Sequence, residues 1–180
     1  MSRPPDDQFY TFDSSPRHHA IEETAQPKFR QLGLFGGFAA ASEGWGLYAE
    51  RLAIENGWYD DDPIGRLGAL DSELFRARRL VVDTGLHAKG WTREQAQAYF
   101  REHVPSQSLA EVDRYIARPG QALAYKIGEL RIRALRTRAE QALGPRFDVR
   151  AFHDVILRNG SLPLDMLDEQ VAAYIEQVRP

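Results

Sequence analysis

Four residues in the first third of the chain, Glu43, Leu47, Glu50 and Ile54, follow an i, i+4, i+7, i+11 spacing. On a helix they share one face. Leu47 and Ile54 ask for burial, so the two carboxylates are carried inward with them. A buried carboxylate is costly unless it is paired, hydrogen-bonded or bound to a metal. Two readings stand side by side: a functional acid, or structural carboxylates. In the structural reading Glu50 pairs with a buried arginine, Arg76 or Arg79, and Glu43 begins the helix.

Further along, Arg76, Arg79, Asp83 and His87 are spaced by three and four and line one helix face. Asp83 and His87, at i, i+4, can form a carboxylate–imidazole pair. Such a pair suits a general base, an oxyanion stabiliser or a metal ligand. A third candidate is the run Arg118–Gly128. Pro119 and Gly120 start a helix whose first turn offers backbone N–H groups to an anion. Gln121 and Tyr125 lie four apart and could both hydrogen-bond a substrate. The structural alternative is that Gly120 and Gly128 allow close helix packing and Tyr125 is core. His18 and His19 could ligate a metal from a proline- and serine-rich tail. The cluster Arg131, Arg133, Arg136 and Arg138 reads as a solvated face laced to glutamates.

The elements that position these groups are helices. Residues 1–27 are rich in Pro, Asp and Ser and read as irregular. The remainder, 28–180, reads as one helical domain. Helices are expected over about 39–56, 63–87, 93–103, a short segment ended by Pro119-Gly120, then 120–142, 149–158 and 164–178. Thr92 with Gln95, and Ser108 with Glu111, match the capping-box pattern. No segment shows sustained strand alternation. The fold expected is all-α, a single domain of six to eight helices. The 39–56 and 63–88 helices, joined by a short connection, are expected to pack together.

Composition limits the function classes. The chain has 180 residues, 43% hydrophobic and 27% charged, with net charge −3. This is ordinary globular composition, without the basic excess of a nucleic-acid binder. There is no cysteine, hence no disulfide framework and no thiolate chemistry. No apolar run reaches membrane-spanning length. Met1–Asp13 lacks the apolar core of a secretory signal, so the default location is cytoplasmic.

Taken together, several segments resemble one known family. They are Phe35-Gly36-Gly37-Phe38 with Glu43–Glu50, Arg79–His87 with Gly90-Trp91-Thr92, Tyr115–Gly128, and Phe147–His153. They are similar to the C-terminal portion of bacterial proteins grouped as domain of unknown function 885, helical relatives of zincin metallopeptidases. The resemblance implies metal-assisted peptide or amide hydrolysis on a peptide-like substrate. It implies zinc held by Glu43 and by histidines of a preceding H-E-A-x-P-G-H-H helix. His87 and Tyr125 would stabilise the transition state, Asp83 would orient His87, and Arg79, Gln121 and Lys126 would contact substrate. Here that preceding helix is only echoed, in Phe12–His19. His18 and His19 fit, but Phe12, Asp13 and Arg17 replace a histidine, the glutamate and a glycine. The chain is therefore expected to be a partial metallopeptidase domain that is not active alone. The alternative is a non-catalytic interaction module or pseudo-enzyme. A second copy, or a separate N-terminal half, is the expected partner.

Overall fold

The computed structural model describes residues 38–179. Seven α-helices follow one another: α1 (Ala39–Glu55), α2 (Pro63–Ala88), α3 (Arg93–His103), α4 (Ala110–Ala117), α5 (Ala124–Leu143), α6 (Val149–Leu157) and α7 (Leu164–Val178). Short 3-10 turns at Gln121–Leu123 and Gly144–Arg146 flank α5. No strand occurs among the described residues, in keeping with the all-α expectation. None of these helices is long and apolar enough to cross a membrane. The segment expected to be irregular, 1–27, lies outside the described residues.

Local chemistry sets the helix limits. The Asp62 side chain accepts from the Gly65 N–H ahead of α2, whose first residue is Pro63. Thr92 and Gln95 form the expected capping box at α3. Asp148 accepts from Arg150 and Ala151 at the start of α6. The second expected capping box does not form. Ser108 Oγ accepts from Ala110 N–H, the Glu111 N–H goes to the Ser108 carbonyl, and the Glu111 side chain turns away to Arg79 and Arg114. A carboxylate bonded to two guanidinium groups gains more than one bonded to a single backbone amide.

Two apolar cores result. One gathers Tyr48 of α1, Ile132, Leu135, Ala139 and Leu143 of α5, Phe152, Val155 and Ile156 of α6, and Leu167, Val171 and Ile175 of α7. The other gathers Phe75 and Val82 of α2, Phe100 of α3, and Val112 and Tyr115 of α4. Helix α1 packs chiefly on α5 rather than on α2. The reason is steric. Gly44 and Gly128 face each other so closely that a Cβ on Gly44 would sit 2.8 Å from the Glu129 nitrogen, and one on Gly128 would sit 2.8 Å from Gly44 Cα. Two glycines let the backbones approach; nothing comparable exists between α1 and α2.

Polar links join α2 to α1 and α5. Arg76 pairs with Glu50 at 3.1 Å, Lys126 with Glu73 at 2.8 Å, and Arg51 approaches Glu73 at 3.6 Å. Ser72 also donates to Glu50. The arginine expected for Glu50 is thus Arg76, but the pair is half-exposed rather than buried. Its contribution falls toward the ~1 kcal/mol of solvent-screened pairs. Glu129 of α5 is far more buried, 1% exposed. Arg133 donates to its Oε1 at 3.2 Å. Lys126 Nζ lies 3.0 Å from its Oε2, close enough for strong attraction, yet at an angle that leaves Oε2 without a hydrogen bond.

Of the four α5 arginines, Arg133 is laced to Glu129 and Arg136 to Glu55 and Glu140, as the sequence suggests, whereas Arg131 meets Asp168 and Arg138 has no ion pair among the described residues. Arg136 also donates to Tyr48 Oη, which lies 3.0 Å from His153 Nε2. Trp45 packs edge-on against the same imidazole. Burial, then the Arg136 charge, pushes the His153 pKa below its ordinary value, with Asp154 opposing weakly. Protonation would set two donors, Arg136 and the imidazolium, on one tyrosine oxygen. The folded chain therefore binds this proton less well than the unfolded chain, whose histidine titrates near pH ~6.5. Stability is fully present above that pH and falls as pH drops through it, until the depressed folded pKa is reached. Urea unfolding from mildly acid to neutral pH should show this loss in the wild type. The slope should flatten in His153→Gln; an unchanged slope would assign the loss to other groups.

Candidate functional site

The expected site residues come from α1, α2 and the approach to α5. Gly120, with φ +79°, makes the tight turn before the 3-10 segment. Its N–H donates to both oxygens of Asp83, at 3.1 and 3.2 Å. The sequence marks this turn as an anion site, and the anion is the protein's own buried aspartate. Asp83 therefore does not pair with His87, despite the i, i+4 spacing. His87 Nε2 instead lies 3.0 Å from the Tyr115 carbonyl oxygen, so its ring donates through that nitrogen.

Arg79 is the centre of the arrangement. Its guanidinium is stacked between Phe75, 4.3 Å from the ring centroid, and Tyr125, at 4.5 Å. It donates to Tyr115 Oη at 3.1 Å and Glu111 at 3.2 Å. Its Nη1 is buried and unbonded among the described residues. Arg114 ties Glu111 to Gln121, donating to both. Burial pushes the Glu111 carboxyl up, but the hydrogen bonds from Arg114 and Tyr115 and the Arg79 charge outweigh it and hold it below the usual range. Burial also raises the Tyr115 phenol, so it stays protonated and donates to Glu111.

Gln121 completes the path by donating to Glu43 Oε1 at 3.3 Å. Glu43 is half-buried on α1, one residue from the Gly44–Gly128 crossing. Tyr125 is half-buried too, and its hydroxyl has no partner among the described residues. Thus Glu43, Gln121, Tyr125 and Arg79 fall into one connected neighbourhood. Asp83 supports the turn that carries Gln121, whereas His87 faces the α4 backbone. Lys126, expected at a substrate, is instead buried between Glu73 and Glu129. The hydrogen bond from Lys126 holds Glu73 below the usual carboxylate range.

A zinc site takes three or four protein donors. Among the described residues no three His, Asp or Glu side chains gather around one point, and the hydrogen bond that Glu43 accepts comes from an amide. Residues 38–179 by themselves do not fit the metal. The other two expected ligands, His18 and His19, lie outside the described residues.

The sequence profile of a family described as bacterial protein of unknown function, DUF885, matches residues 17–171. The chain belongs to the DUF885 family. Two solved structures are similar to it. A putative lipoprotein from Colwellia psychrerythraea is 48% identical, with a TM-score of 0.78 over 84% of this chain and 26% of its own. A putative lipoprotein of unknown function from Shewanella oneidensis is 25% identical, with a TM-score of 0.74 over 90% of this chain and 30% of its own. The chain thus spans less than a third of either neighbour's length. No curated protein matches it.

Within this DUF885 chain, sequence reasoning did not single out Glu111, Arg114 or Tyr115, which link Arg79 to Gln121. The local signal was present: Glu111 has Arg114 at i+3 and Tyr115 at i+4. It was read as half of a cap instead. The Tyr48–His153 pair, 105 residues apart, left no local signal.

Proposed function

We propose that residues 38–179 form one wall of a composite hydrolytic site, and that this chain does not hydrolyse peptides alone. The reaction is the one the family resemblance implies, metal-assisted cleavage of a peptide or amide bond. The observation that carries the reading is the join between Glu43 and Gln121 beside Tyr125. A carboxylate and a phenol hydroxyl keep unused hydrogen-bonding capacity there, on helices locked by a glycine crossing. Arg79 fixes the Tyr125 ring by stacking. Asp83 fixes the Gly120 turn and, through it, Gln121. The chain's own residues thus supply orientation and hydrogen bonds to a substrate. The remaining metal donors must come from outside 38–179, either from His18 and His19 or from polypeptide of the kind the longer neighbours contain.

The lipoprotein descriptions of both neighbours support an extracytoplasmic location in place of the cytoplasmic default. A second reading, a non-catalytic interaction module, is favoured by one observation. Arg79, Gln121 and Lys126 each donate to partners inside the protein.

Calorimetric zinc titration of the untagged chain tests the proposal, together with a peptide-hydrolysis assay. Zinc is expected to bind weakly or not at all, with no hydrolysis. Tight stoichiometric zinc, lost in a His18→Ala, His19→Ala double variant, would overturn the reading and make this an active peptidase.

A further inference from the structure

Helix α2 carries a second pattern that the candidate site does not use. Leu67, Leu70, Leu74, Ala77 and Val81 are spaced 3-4-3-4, and Thr84 and Ala88 continue the series. The opposite side of the helix holds Phe75, Arg79 and Val82, which enter the core and the buried cluster. The flank carrying Ser72, Glu73 and Arg76 meets α1 and α5. The stripe itself faces solvent: Leu67 is 68% exposed, Leu70 47%, Leu74 45% and Val81 43%. Single exposed leucines need no explanation. Leucines and a valine in heptad register over four turns form a seam of the kind that two helices share.

We propose that this seam docks on the same seam of a second copy of the chain, with the two α2 helices antiparallel across a twofold axis. Charge selects this occupant. Asp71 and Arg78 lie seven residues apart along one edge of the stripe. Ser106 holds the Asp71 carboxylate at 3.1 Å, while Arg78 has no ion-pair partner among the described residues. Set Leu74 against Ala77 of the second copy, and Leu70 against its Val81. Each Asp71 then stands beside the other copy's Arg78, and symmetry makes the contact twice. A parallel pair would need Glu73 to meet Arg78, but Glu73 is committed to Lys126 on the inward flank.

Sedimentation of the full chain over a wide concentration range tests this. The wild type is expected to dimerise. Leu70→Glu should abolish the dimer. Asp71→Arg or Arg78→Asp alone should weaken it roughly tenfold or more, since each places like charges together twice. The double swap, Asp71→Arg with Arg78→Asp, should restore it. All these positions are on the exposed seam or its edge, so circular dichroism should report unchanged helix content. The chain has no native cysteine, which makes orientation readable. Leu74→Cys mixed with Ala77→Cys should cross-link, whereas Leu74→Cys alone should not. A monomer at every concentration would overturn the proposal and leave the seam to polypeptide beyond this region. A dimer indifferent to the charge reversals, or a Leu74→Cys homodimer cross-link, would overturn the arrangement.

Discussion

Gly128→Ala should destabilise the protein by at least about 3 kcal/mol, the upper end of the usual cost of overpacking a core. The added methyl would fall within the van der Waals envelope of the Ala40 carbonyl oxygen and 2.8 Å from Gly44 Cα. Those are backbone atoms, so no side chain can rotate away to make room. Helices α1 and α5 would have to separate, and the apolar core that Tyr48 shares with Ile132 and Leu135 would open with them. Against a typical total stability of roughly 5–15 kcal/mol, this is a large fraction. Gly44→Ala meets the same obstacle from the other side. Gly68→Ala is the control. Nothing lies within 4 Å of its added Cβ, and it sits inside α2. It should raise stability by about 0.5–1 kcal/mol through helix propensity. Urea unfolding followed by circular dichroism measures all three. A Gly128→Ala protein as stable as the wild type would mean that the helices do not touch there.

Lys126→Met should cost roughly 3–5 kcal/mol, the range for breaking a buried ion pair by removing one partner. It strands Glu129, which is 1% exposed, with only the Arg133 hydrogen bond. Glu73 loses its lysine as well, but it is partly exposed and keeps Arg51 nearby. A double variant, Lys126→Met with Glu129→Leu, removes the charge that would otherwise be left buried. It should be more stable than Lys126→Met alone, because a buried pair exchanged for apolar groups of similar size is often neutral. Denaturant unfolding of the two single variants and the double gives the coupling directly. Additive losses would show that Lys126 and Glu129 do not depend on each other. The result also bears on function, since Lys126 reads from the sequence as a substrate contact.

These two predictions mark where the sequence was readable and where it was not. Helix limits were legible because capping is local: Asp62, Thr92 and Asp148 each act within three residues. The expectation that Gly128 permits close helix packing holds for the same reason, since a bare backbone in a helix has few other uses. The same reading of Gly120 fails, because its positive φ serves a turn. The Asp83–His87 pair illustrates the limit of spacing arguments. Side chains at i, i+4 can meet, but a backbone N–H 37 residues away offered Asp83 a better partner. Which partner wins depends on how distant helices pack, and a linear pattern carries little of that. Lys126 likewise pairs with Glu73, 53 residues away, a partner that local spacing does not reveal.

The contrast between the two apolar cores and the charged contacts linking them has a mechanical consequence. Hydrophobic burial resists separation but is indifferent to direction, whereas ion pairs hold particular atoms in register. The joint between α2 and the α1–α5 pair is therefore held in register by directional contacts: the ion pairs, the Asp83–Gly120 hydrogen bonds and the Arg79–Tyr125 stacking. Added salt screens the exposed links, Arg76–Glu50 and Arg51–Glu73, while both cores are left intact or strengthened. High ionic strength therefore weakens this joint before it weakens either core, while the buried Asp83–Gly120 and Lys126–Glu73 contacts keep it closed. The candidate site draws Glu43 from one side of that joint and Arg79 from the other, so its geometry depends on all of these contacts, the salt-sensitive ones included.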